Sequence, residues 1–162
     1  MVVKYLLYLV LILLPVPALG CVCDTSVTVQ TAFRESAAIF SGRLIAAEYR
    51  KGIKNEFAEM DAEWRGKKRE YEVLVYRFEV TRWYKSDGNA SREVVLVTDN
   101  VRFLDDGAES ISDCGLGFEK DVDYLIYAYG DEKEISTNAC SLTKRLARAR
   151  ADIAILEKLR KR

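Results

Sequence analysis

Hydrophobic and polar residues alternate most regularly between Tyr71 and Tyr84 (YEVLVYRFEVTRWY). Leu74, Tyr76, Phe78 and Val80 share one face there, and Arg77, Glu79 and Thr81 the other. A period of two marks a strand with one covered face. Ala38 to Tyr49 (AIFSGRLIAAEY) predicts a second strand, bent at Gly42. Val94 to Thr98 (VVLVT) is a short unbroken apolar run and predicts a buried strand. Val122 to Tyr129 and Glu134 to Ala139 predict a hairpin around Gly130-Asp131. Ser86-Asp87-Gly88-Asn89 and Asp105-Asp106-Gly107 are turn signals between these runs. Five strand-like runs joined mostly by short turns predict a small antiparallel barrel or sandwich.

Two stretches follow a helical period instead. Val27 to Ser36 predicts one short helix. From Ser141 onward, Leu142, Leu146, Ala149, Ile153 and Leu156 step by four and three, predicting a C-terminal amphipathic helix with Ser141 as N-cap. Arg50 to Glu70 carries seven basic and five acidic residues plus Gly52 and Gly66. It reads as an exposed loop or a long hairpin tip, with Trp64 packed back on the body.

The first twenty residues change the picture. Lys4 precedes an apolar run from Tyr5 to Leu19, interrupted by Pro15 and Pro17 and followed by small residues ending at Gly20. This is the pattern of a secretory signal peptide, and the run is short for a bilayer span. The expected organisation is a signal peptide over 1–20 and one exported domain over 21–162.

Charge then divides the domain. Net charge is zero over the whole chain, but residues 141–162 hold eight basic and two acidic residues, against 16 basic and 23 acidic in 21–140. Overall neutrality speaks against bulk nucleic-acid binding. The basic helix is expected to dock by its apolar stripe with its bases in water. It would meet a membrane only if exposed. A monomer without a cofactor is expected. The chain has no histidine, which removes the commonest general base and the commonest zinc ligand. Paired acids such as Asp105 and Asp106, or Asp121 and Asp123, read as solvated surface rather than catalytic pairs. The protein is therefore not expected to be an enzyme. Asn89-Ala90-Ser91 is a glycosylation acceptor only in a host that glycosylates.

The four cysteines are Cys21, Cys23, Cys114 and Cys140. An even number in an exported domain predicts two disulfides, with three pairings open. A metal reading is weaker, because one residue separates Cys21 from Cys23 and the other two cysteines stand alone.

Cys21-Val22-Cys23, Gln30-Thr31-Ala32-Phe33 and Phe40-Ser41-Gly42-Arg43 together resemble the netrin-like domain, and within it the tissue inhibitors of metalloproteinases. The similarity continues through Tyr76 to Lys85, Cys114-Gly115, Tyr124-Leu125-Ile126 and Thr137-Asn138-Ala139-Cys140-Ser141. The resemblance implies a five-stranded OB-type barrel with flanking helices, an all-β or α+β class. It implies pairing of Cys21 with Cys114 and of Cys23 with Cys140. It also implies that the free amine and carbonyl of Cys21 chelate the catalytic zinc of a target metalloendopeptidase, displacing the water that the metal activates. An α-amino pKa of roughly 8 leaves a coordinating fraction near neutral pH. Val22 would enter the primed-side specificity pocket, and Cys23, Asp24, Ser112 and Asp113 would line the contact. This chain departs from the family at Arg34, which follows Phe33 where vertebrate members carry a third cysteine. It also lacks prolines between Asp24 and Val29. The alternative is a non-inhibitory extracellular binding module on the same scaffold. Ala18-Leu19-Gly20-Cys21 also partly resembles a lipobox, which would make it a cell-surface lipoprotein lipidated on Cys21.

Overall fold

The computed structural model describes residues 21–86, 90–112, 114–131 and 134–161. The expected signal peptide (1–20), Asn89 and Asp113 lie outside the described residues. Helix α1 (Val29–Glu35) leads into β1 (Ala38–Arg50), followed by α2 (Glu56–Arg65), β2 (Tyr71–Lys85) and β3 (Glu93–Phe103). Then come β4 (Glu109–Ser110), β5 (Asp123–Gly130), β6 (Ile135–Ser136) and β7 (Lys144–Arg145). A short 3-10 turn (Leu146–Arg148) precedes α3 (Arg150–Arg160).

The strands form one mixed sheet. β2 pairs antiparallel with both β1 and β3. β5 pairs antiparallel with β1, β6 and β7. β6 lies parallel to β3, where the sequence pattern predicts antiparallel strands throughout. Direction forces this: β3 runs the same way as β1, and β5 the opposite way. The hairpin partner of β5 must then run with β3. Gly42 sits at a register slip of β1 against β2. A Cβ there would stand 2.8 Å from the carbonyl oxygen of Glu79, so the close approach requires glycine.

Both sheet faces are covered where β1, β2 and β5 meet. On one, Phe40, Leu44, Tyr76, Phe78, Leu96 and Ile126 form the main core. Phe118 plugs it, edge-on to Tyr76, Phe78 and Tyr124 at 4.9–5.1 Å between centroids. On the other face, α1 and α3 bury Ala32, Ala149 and Leu156 against Ile39, Leu125 and Tyr127. The buried Tyr127 hydroxyl faces Asp152 of α3, and burial raises its pKa far above the ordinary phenol value.

Three expectations are corrected here. The C-terminal helix begins at Arg150 rather than at Ser141. Ser141 is buried, donates to the Asn138 carbonyl at 2.8 Å and accepts from Thr143 N at 3.2 Å. Its side chain is spent on a turn, which lets Lys144–Arg145 pair with β5 before the helix starts. The 50–70 stretch is no simple loop, since Asn55 caps α2 by accepting from Ala58 N at 3.1 Å. Gly66, with φ of 64°, ends it in the left-handed region. Trp64 is 90% exposed instead of packed, because α2 turns only Ala58 fully inward.

Candidate functional site

Two disulfides converge on the first described residues. Cys21 is bonded to Cys114 and Cys23 to Cys140, the pairing among three that the resemblance implies. The bridges pack together, with the Cys21 and Cys140 sulfurs 3.4 Å apart. Cys21, Cys23 and Cys140 thus form a sulfur cluster of metal-site dimensions. Their sulfurs are already spent in disulfides and offer no thiolate.

Each anchor is held by its own local turn. The backbone N–H groups of Cys140 and Ser141 both donate to Asn138 Oδ1, at 3.0 Å each. Ala139 N donates to the Cys114 carbonyl at 2.8 Å, tying one anchor to the other. The Cys114 side is fixed by Asn100, a buried residue of β3 that accepts from Ser112 N at 2.8 Å. Ser112 Oγ accepts in turn from Cys114 N at 3.3 Å. Gly115 fits beneath this turn, where a Cβ would stand 3.0 Å from the Ser112 carbonyl and 3.4 Å from Asn100 Oδ1.

What these anchors present is apolar and exposed. Val22, between two cross-linked cysteines, is 95% exposed, and Ile111, one residue before Ser112, is 70% exposed. Asp24 points at its own chain, accepting from Ser26 N at 2.8 Å. That bond holds its carboxyl below the usual carboxylate range. Cys21, Val22, Cys23 and Ser112 therefore belong to one cross-linked edge, and Asp24 follows directly. Asp113 lies outside the described residues. Asn100 and Ile111 were not singled out from the sequence, and Asn138 entered only as part of the Thr137–Ser141 motif, without this role. Asparagines bridging backbone amides leave no periodic trace, and Ile111 sits alone among polar residues.

The paired acids are used elsewhere. Asp105 and Asp106 both bond Arg69, at 2.5 and 2.6 Å, and Arg69 lies 3.9 Å over the Phe103 ring. The guanidinium lowers the Asp105 pKa. Asp123 makes a two-pronged pair with Arg43 at 3.0 Å. Asp105 and Asp106 are thus held by one guanidinium and Asp123 by another.

No helix among the described residues is long and apolar enough to cross a membrane. The chain matches no protein-family profile and no curated protein.

Proposed function

We propose that this protein is an exported inhibitor of zinc metalloendopeptidases that acts through its mature N-terminus. In this reading the five main pairings, β1 with β2, β2 with β3, β3 with β6, β6 with β5 and β5 with β1, trace a closed OB-type barrel. Its two disulfides hold residues 21–23 as a rigid wedge. The observation that carries the proposal is Val22, exposed between two covalently fixed neighbours. A segment pinned at both ends loses little conformational freedom on binding, which is what a tight inhibitor requires. After removal of residues 1–20, the Cys21 amine and carbonyl would occupy two positions on the target's zinc. The Val22 side chain would fill an adjacent apolar pocket, with Cys23, Asp24, Ser112 and Asp113 around it. The chemistry is done on another protein's metal, which suits a chain without histidine.

The test is inhibition of a panel of secreted zinc metalloendopeptidases by the exported protein. Adding one alanine before Cys21 should abolish inhibition by converting the amine into an amide. Val22→Arg should weaken it without altering the melting temperature. Inhibition that survives the added alanine overturns the mechanism. Intact mass of the exported chain distinguishes the lipoprotein alternative, because thioether lipidation needs the same Cys21 sulfur that the disulfide occupies.

A second reading, a binding module without inhibitory action, draws on α2. Phe57, Met60 and Trp64 are all exposed on this one helix, a cluster of the sort that marks contact surfaces. Loss of inhibition in every variant and in the parent alike would favour it.

A further inference from the structure

The outward face of α3 and its surroundings form a basic surface assembled from three elements. Arg150, Lys158 and Lys161 are exposed. Their spacings of eight and eleven residues place them within roughly 80° of one another around the helix. By the same spacing Asp152 lies on the opposite side of the helix, while Glu157 lies within roughly 40° of Arg150 and Lys161 and is engaged by Arg82. Asp152 pairs with Lys144 at 2.8 Å and Glu157 with Arg82 at 2.7 Å, their side chains 13% and 26% exposed. Two flanking bases are pinned by backbone oxygens. Arg160 donates to the Trp83 carbonyl at 3.1 Å, and Lys85 to the Arg34 and Ser36 carbonyls at 3.0 and 2.5 Å. Arg34, exposed at the end of α1, extends the array past α3. The acid beside it is Glu35.

We propose that this face docks on an anionic phospholipid surface. Its bases spread over two dimensions, from α1 across the end of β2 to α3, as a sheet of headgroup charges does. The exposed residues between the bases of α3 are Ala151 and Ala154. The large exposed apolar residues Val22, Phe57, Met60, Trp64, Leu104 and Ile111 all belong to other segments. The face therefore adheres by charge without inserting, and its aromatic residues among those described, Phe33 and Trp83, are half-buried rather than laid open for a nucleic-acid base to stack on. Attraction to an anionic leaflet is worth roughly fivefold in affinity per basic residue near the surface. The inference does not depend on the inhibitor reading, since it uses none of the cross-linked edge.

The test is co-sedimentation of the exported protein with phosphatidylcholine vesicles, with and without phosphatidylglycerol. Binding should require the anionic lipid and fall steeply with salt. The triple variant R150Q/K158Q/K161Q should bind on the order of 100-fold more weakly. The matched variant K54Q/K67Q/K68Q, with the same charge change elsewhere, should bind as the parent does. All six side chains are exposed, and near-UV circular dichroism of each variant checks the fold. Equal binding to neutral vesicles, equal loss in both triple variants, or no loss in the first overturns the proposal. So does retention on soluble heparin or single-stranded DNA at a salt concentration that releases the vesicles.

Discussion

Asn100 shows how one side chain supports the cross-linked edge. It is buried in β3 beside the turn that leads to Cys114, and its side-chain carbonyl oxygen accepts from Ser112 N. Asn100→Ala leaves that amide without its partner. A lost partner of this kind costs about 1–3 kcal/mol, read as a lower melting temperature with both disulfides intact by mass. Val22, by contrast, contributes almost nothing to folding at 95% exposure. The two positions separate what holds the edge from what the edge presents. Sequence reasoning reached Val22 through what the resemblance implies, and it missed Ile111. It missed Asn100 because a polar side chain bonding a distant loop has no counterpart in hydrophobic periodicity.

Among the elements, legibility followed burial. β2 and β5 were readable because packing repeats every second residue along them, as at Tyr76 and Phe78 or at Tyr124 and Ile126. β6, two residues long, falls inside the hairpin strand expected over Glu134 to Ala139, whereas the two-residue β7 has no pattern to read. Their existence follows from which strand edges β5 leaves open. α2 escaped because its charged residues mask a weak apolar signal, and its caps, Asn55 and Gly66, were read as loop residues. The two helices should answer differently to truncation. Leu156 of α3 is fully buried, so Leu156→Ala should cost about 2–5 kcal/mol in denaturant unfolding. Trp64→Ala on α2 should stay within about 0.5 kcal/mol of the parent. The base of α2 has its own acid sensitivity. Arg69 holds the Asp105 pKa below its ordinary 3.8, so the folded state binds that proton less readily than the unfolded one. The contribution is complete above pH ~4 and disappears as pH falls through the lowered value. Amide exchange in α2 and the Leu104–Gly107 turn should accelerate there before exchange in β1 does.

For the molecule as a whole, charge segregation and cross-linking matter more than any single contact. Within the basic tail both acids are paired with bases, Glu157 with Arg82 and Asp152 with Lys144, which leaves Arg150, Lys158 and Lys161 exposed on α3 and its C-cap. The sequence separations of 93 and 117 between bonded cysteines span most of the described chain. In the chain-entropy account each closure contributes on the order of 4–5 kcal/mol before strain. The same connectivity has a second effect, on damage. A nick in the exposed α2, or anywhere else between residues 24 and 113, yields two fragments still joined by both bridges. A nick between 115 and 139 leaves them joined by one. Limited digestion at α2 should therefore give one band without reductant and two with it. In the proposed inhibitor, a cut at the exposed α2 would leave residues 21–23 attached through both bridges.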